Sequence, residues 1–269
     1  MITIKKEEDI VRLRKAGKIL AAMLVELSKK TLPGVSTLDI DNYTNELCKK
    51  YGVVPVFLNY KPYGASRPFP ASICVSINDE IVHGIPNETP RTFKEGDIVS
   101  LDMGVSYEGM IVDSATTVGV GKIDEAAQRL LDTTRGSLKA GIKAAVSGSR
   151  TGDIGFAVED FVNNESKIFA EKTGLKKIKP FGIAENLGGH GVGYEVHEDP
   201  FVPNFGKKNQ GPILKPGMVI AIEPMLNEGT DRIMIGRDGW VYQTLDGKRS
   251  AHFEHTVLIT DKGPEILTA

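Results

Sequence analysis

Cysteine is scarce in this chain: Cys48 and Cys74 are the two thiols among 269 residues. Two thiols do not make the disulfide framework of a secreted domain, and a reducing compartment is the simpler setting. Long apolar runs are missing as well. No stretch approaches the ~20 residues that span a bilayer, so no membrane association is expected. The first nine residues are charged and lack the apolar core of a signal peptide, which points to the cytoplasm. A basic excess is also lacking, with 33 Lys and Arg against 35 Asp and Glu and a net charge of -2. An electrostatic nucleic-acid binder would carry the opposite balance, so no nucleic-acid partner is expected.

The length suits one large domain or two small ones, with enough chain to bury a substantial core. Ile10, Leu13, Gly17, Leu20, Leu24 and Leu27 recur at three- and four-residue steps, which predicts a helix over 7–30. Pro33-Gly34 stops it. A second helix is expected over 37–51, with Ser36 as N-cap and Asp39 three residues later. The segment 58–70 is rich in Pro, Gly and aromatics and reads as a loop. Segments 72–82 and 97–118 alternate and carry β-branched residues, so they read as strands. Helices are expected over 124–143 and 153–172, and short strands from Ile183 onward. Helices, strands, helices and strands in that order argue for α+β with an antiparallel sheet.

The chain also echoes itself. Phe93-Lys94-Glu95-Gly96-Asp97-Ile98-Val99 resembles Leu214-Lys215-Pro216-Gly217-Met218-Val219-Ile220, 121 positions later. The stretch Ser36-Thr37-Leu38-Asp39-Ile40 resembles Arg150-Thr151-Gly152-Asp153-Ile154 at an offset of 114. Two similar offsets suggest one domain, 1–269, built of related halves at roughly 5–121 and 122–265. The first offset carries Asp102 onto Glu223.

Five acids and imidazoles stand inside apolar, strand-like stretches: Asp102, Asp113, His190, Glu223 and Glu254. Each alone has an ordinary structural explanation. An Asp beside Gly commonly serves a turn, and a strand Glu commonly faces water. Together they weigh differently, because Asp and Glu are almost never fully buried unless paired or metal-bound. Four converging carboxylates would repel without cations, and two divalent ions would neutralise them where one would not. Four acids and one imidazole form a hard, oxygen-rich set suited to Mn, Fe(II), Co or Zn, unlike the thiolate set of a structural zinc site.

In order and spacing these residues resemble the methionine aminopeptidases of the pita-bread fold. The motifs that carry the resemblance are His83-Gly84-Ile85-Pro86, Asp102 with Asp113, His190-Gly191-Val192-Gly193, His197-Glu198-Asp199-Pro200, Ile222-Glu223-Pro224-Met225 and Glu254-His255-Thr256, and they run through nearly the whole chain. The resemblance implies two divalent metal ions. Asp102 would chelate one, His190 and Glu223 would bind the other or lie nearer it, and Asp113 and Glu254 would bridge them. It further implies co-translational removal of the initiator methionine, with a small second residue preferred. Glu223 would shuttle a proton, His83 would contact the scissile amide nitrogen, and His197 the substrate carbonyl oxygen. Taken without the family, His83 reads as a turn residue and His197 as a strand-end residue.

Phe69, Cys74 and Trp240 would line the methionine pocket, with Tyr60 or Tyr63 as further candidates. The loop 58–70 looks a few residues longer than in short bacterial members. His255 could orient Glu254, while His252 matches no motif and is expected at the surface. The gap of 33 residues from His190 to Glu223 leaves no room for the helical insertion of type II enzymes. With no Cys-rich extension ahead of the first helix, the short, bacterial-style type I form fits. Expected partners are N-terminal Met peptides and nascent chains, with transient ribosome proximity, and monomer is the default state. Competing readings are a non-catalytic relative that binds RNA or protein, which would lose metal ligands, and a prolidase-like enzyme, which would carry a large N-terminal domain.

Overall fold

Acidic Glu7, Glu8 and Asp9 open helix α1 (Glu7–Lys30) and Lys29 and Lys30 close it, matching its dipole. Helix α2 (Thr37–Tyr51) starts in a reciprocal cap: Ser36 Oγ accepts from Asp39 N at 3.1 Å and the Asp39 carboxylate accepts from Ser36 N at 2.9 Å. In the computed structural model, which describes residues 2–174 and 180–269, both helices have the bounds that their periodicity predicts.

Strands β1 (Val54–Pro55), β2 (Cys74–Ile77), β3 (Glu80–Val82), β4 (Ile98–Tyr107) and β5 (Met110–Gly119) follow. The two segments expected as single strands are therefore each broken once. Asn78 (φ 54°) makes one turn, and Glu108 (φ 48°) with Gly109 (φ 80°) makes the β4–β5 turn. A left-handed Glu is an uncommon hairpin residue, so the sequence hides that turn. Helix α3 (Glu125–Ala144) begins one residue later than expected, because Asp124 is its cap and accepts from Ala127 N at 2.7 Å. Helix α4 (Thr151–Thr173) begins two residues earlier, because Asp153 folds back to accept from Arg150 N at 2.7 Å.

The rest is short strand: β6 (Gly182–Ile183), β7 (Gly188–Gly191), β8 (Glu198–Pro203), β9 (Val219–Ile222), β10 (Met225–Asn227), β11 (Ile233–Ile235), β12 (Tyr242–Thr244), β13 (Ser250–His252), β14 (His255–Thr260) and β15 (Gly263–Ile266). All described pairings are antiparallel, but they form four sheets where one was expected. These are β1-β4-β2 with β5 on β4, β13-β10-β6, β11-β12-β3 and β15-β14-β9-β7-β8. Pro224 is one reason for the division. It has no N–H to continue a ladder, so the chain leaves one sheet after β9 and enters another at β10.

Two cores result. Leu13, Leu20, Leu27 and Ile40 of α1 and α2 pack with Val99, Leu101 and Met103 of β4. Leu138, Ile142, Ile154 and Val162 of α3 and α4 pack with Ile220, Ile222, Val257 and Ile259. Each large aliphatic side chain buried this way contributes roughly 1.5–3 kcal/mol. The period of two then sends the residues between them, such as Asp102, to the opposite face. Isolated bridges join Ser36 to Thr92 and Arg150 to Ile213, separated by the same offsets of 114 and 121 as the sequence echoes.

Candidate metal centre

Strand register determines how the acids meet. Asp102 lies opposite Ala115 and Gly104 opposite Asp113, so Asp102 and Asp113 are diagonal neighbours on one face of the β4–β5 hairpin. Ile222 pairs with His255 and Met225 with His252, which sets Glu223 across from Glu254 in the seam between two sheets. The seam is tied to the hairpin, because Glu254 N donates to Ala115 O at 3.0 Å and Asp113 N donates to Thr256 Oγ1 at 2.9 Å. Asp113, His190 and Glu254 each offer a ligand atom within 4.8 Å of the other two. His190 Nε2 lies 3.5 Å from Glu223 Oε1.

Asp102, Asp113 and Glu254 are buried, and Asp102 Oδ1, Asp113 Oδ1 and Glu254 Oε1 have no hydrogen-bond partner among the described residues. Burial pushes the Asp113 carboxyl up to about 7. Burial, then Asp113, pushes Asp102 well above the carboxylate range. Glu223 is raised by burial and then by Asp102 and Asp113, and Glu254 by burial and then by Asp113, Glu223 and Asp102. Burial holds His190 neutral, down to about 3. Neutral imidazole and orphaned carboxylate oxygens are what divalent cations require, so the donor set fits the metal that it predicts.

His190 needs close backbone approach. A Cβ on neighbouring Gly189 would lie 2.1 Å from the Ala221 carbonyl oxygen of β9's strand. Gly189→Ala must therefore push β7 from β9. A loss of ~1–3 kcal/mol of stability is expected in a thermal melt, together with weaker metal binding as His190 shifts.

A cavity of about 220 Å³ opens over the four acids, and His83, His197, Phe69, Cys74 and Trp240 also line it. His190 reaches the group from one side, its ring 4.4 Å from that of His197. The Tyr60 hydroxyl and His197 Nδ1 are hydrogen-bonded at 2.7 Å, which leaves Nε2 as the ring nitrogen available to a ligand. His83 has φ 61°, an uncommon conformation for a bulky side chain that costs of order 1–3 kcal/mol where the fold imposes it. Burial and His197 lower its pKa to about 4. Phe69 stacks edge-on against Trp240, with ring centroids 5.2 Å apart. The Cys74 thiol is pushed well up by burial and then by Asp102 and Asp113, so it is not a thiolate at neutral pH.

Two expectations change here, and one open choice is narrowed. His252 is buried, at 1% exposure, not at the surface. Its Nε2 stands 3.5 Å from Glu223 Oε2, and burial lowers its pKa to about 3. Its burial comes from the pairing with Met225, which no local pattern announces. His255 does not orient Glu254, since its Nδ1 pairs with Thr268 Oγ1 at 3.0 Å. Of the two tyrosines, Tyr60 lines the cavity, whereas Tyr63 is fully exposed.

Asp102, Asp113, Glu223 and Glu254 thus line one cavity, with His190 beside them. Metallopeptidase family M24 matches residues 11–261. The chain belongs to metallopeptidase family M24. Among its relatives in M24, "Methionine aminopeptidase" of Aquifex aeolicus is 45% identical, over 99% of this chain and 98% of that one. The crystal structure of methionine aminopeptidase from Thermotoga maritima is 41% identical with a TM-score of 0.89, covering 100% of this chain and 99% of that one. Prolidase from Pyrococcus furiosus, at 21% identity and a TM-score of 0.70, shares the fold and covers 99% of this chain but 65% of its own. The architecture is accordingly the pita-bread fold of these M24 structures. No described helix is long and apolar enough to cross a membrane.

The M24 centre also makes a pH prediction for metal-free protein. Asp113, at about 7, lies above its unfolded value, so its contribution to stability is lost as pH rises through about 7. His190 and His252, at about 3, lie below theirs, so their contribution is lost as pH falls below about 6.5. Chelator-treated protein should be most stable near pH 6.5. A fixed Mn concentration, 100 times the Kd at pH 6, should stabilise it by ~2.7 kcal/mol at pH 6, roughly 5–10 °C in the melt, and by more at pH 8. An equal rise at both pH values would contradict a carboxylate-lined site.

Proposed function

We propose that this chain is a short, type I methionine aminopeptidase that hydrolyses the first peptide bond of N-terminal Met peptides and nascent chains. The observation that carries the reading is the placement of five metal-type donors beside one aromatic-lined cavity. Asp102, Asp113, His190, Glu223 and Glu254 would hold two divalent ions of the Mn, Fe(II), Co or Zn kind. Such ions lower the pKa of water and polarise a carbonyl.

The residues of the chain account for the rest. Phe69, Cys74 and Trp240, with Tyr60 beyond them, enclose an unbranched apolar side chain such as that of Met. His197 Nε2–H donates to the substrate carbonyl oxygen in the tautomer whose Nδ1 accepts from the Tyr60 hydroxyl. His83, neutral and locked by its strained backbone, faces the scissile nitrogen. Glu223 takes a proton from the attacking water as the new C–O bond forms, and returns it to the leaving amine as the C–N bond breaks. A small second residue suits the confined space over the acids.

Residues 5–121 and 122–265 are read as related halves of one catalytic domain, supported by their matching echoes, caps and bridges. The absence of helix between His190 and Glu223 supports the type I form. Action in the cytoplasm, near the ribosome, follows from the substrate, and monomer is the default state.

Purified protein should release Met from Met-Ala-Ser with at least one of Mn, Fe, Co or Zn, and leave an Ala-Pro dipeptide uncleaved. No Met release with any of the four metals would overturn the proposal. Cleavage of Ala-Pro alone would favour a prolidase-like enzyme.

A further inference from the structure

Away from the metal donors, one buried ion pair joins positions 193 residues apart, Lys5 and Glu198. Their side chains are 0% and 5% exposed. Lys5 Nζ donates to Glu198 Oε2 at 2.6 Å and to Thr3 Oγ1, and the Thr3 hydroxyl donates to the same Oε2. The other oxygen, Oε1, accepts from Tyr194 N at 2.6 Å and from Glu195 N at 3.2 Å. One carboxylate thus grips the N-terminal arm with one oxygen and a loop with the other.

That loop has no regular structure from Gly193 to His197, and His197 is its last residue before β8. The surrounding contacts are shaped for the lysine. Gly193 has φ 141°, and a Cβ there would fall 2.2 Å from Lys5 Cε, so the lysine stem occupies the space a side chain would need. The ammonium lies 4.5 Å from the centre of the Tyr194 ring, whose hydroxyl donates to Asp9 at the start of α1 at 2.6 Å. Lys5 N also donates to Gly217 O at 2.8 Å, anchoring the arm.

A buried ion pair is weak evidence for a stability role alone, since an apolar pair of like volume often serves as well. Here the carboxylate instead satisfies backbone N–H groups of the segment that carries a reacting histidine. We propose that Lys5 and Glu198 are positioning residues, through which the N-terminal arm holds the 193–197 loop so that His197 Nε2 meets the substrate carbonyl oxygen. The inference rests on the role given to His197 above.

The test uses full-length metal-loaded enzyme and the Met-Ala-Ser assay. The Lys5→Met/Glu198→Gln double variant removes both charges and leaves none unpaired. It should keep its Mn affinity in calorimetry and its KM within about threefold, while kcat falls roughly 10- to 100-fold, the cost of a misplaced catalytic group. Lys5→Arg, which keeps the charge, should retain kcat within about threefold. In a His197→Ala background the double variant should cost less than about twofold more, because its effect acts through His197. Thr3→Val, a milder change in case the double variant does not fold, should lower kcat about two- to fivefold.

A folded double variant with parental kcat, or unchanged kcat in Thr3→Val, overturns the inference while His197→Ala remains impaired. Equal losses with and without His197 overturn it too. Parental kcat in His197→Ala would instead remove the catalytic role of His197, and this inference with it.

Discussion

Glu254→Ala should lose both tight metal binding and turnover. Glu254 is 2% exposed, shares a ligand group with Asp113 and His190, and lies across from Glu223. Without its carboxylate the remaining donors cannot hold two cations in the arrangement proposed. A loss of ~4 kcal/mol of transition-state stabilisation corresponds to roughly a 10³-fold lower kcat/KM. Calorimetry with Mn and Met release from Met-Ala-Ser check the two halves of the statement. Retained activity would refute the ligand assignment.

A companion variant separates electrostatics from packing. Glu254→Gln keeps the volume but removes a charge from a site where Asp113, Glu223 and Asp102 all oppose it. Chelator-treated Glu254→Gln should therefore melt above chelator-treated parent at pH 8, although it gains far less from added metal. The reverse order would mean that the buried acids do not repel one another in the metal-free protein.

Glu223→Gln should lower kcat by roughly 10²- to 10⁴-fold, the usual contribution of a positioned acid–base group. The amide keeps one ligand oxygen and the shape of the side chain, so part of the metal affinity should remain. It cannot accept a proton from water and return it to the leaving amine. In the metal-free protein, burial and the neighbouring Asp102 and Asp113 raise the Glu223 carboxyl. A kcat within tenfold of parent would move the proton shuttle to another group, and His252, 3.5 Å from Glu223 Oε2, is the nearest alternative.

Much of the fold is legible where local physics decides it. The first two helices follow from apolar periodicity, acidic first turns and a serine cap, all contained in a few consecutive residues. The β4–β5 turn is not legible, because Glu108 takes a left-handed conformation that only the ladder on either side imposes. The division into four sheets is equally hidden. It depends on which strands pair after Pro224, and pairing is a property of distant residues.

The candidate site divides in the same way. Acids inside apolar strands announce a buried charge that needs a cation, so Asp102, Asp113, Glu223 and Glu254 could be singled out from composition and alternation. His252 could not, because it is buried by β10, a strand about 25 positions earlier in the chain. Neither could the choice between Tyr60 and Tyr63, which lie in one irregular loop, where no period assigns a face.

By itself the sequence determined the kind of chemistry: hard oxygen donors and a neutral imidazole in apolar surroundings admit divalent metals and little else. Only the tertiary structure decided the arrangement. It set Glu223 across from Glu254, put Asp102 and Asp113 on one face of a hairpin, and drew His252 inward. It also tied Lys5 to the loop of His197. The physical reason is that side-chain type and local period act over a few residues. Register and burial are settled only when whole segments, neighbouring hairpins and distant strands alike, come into contact.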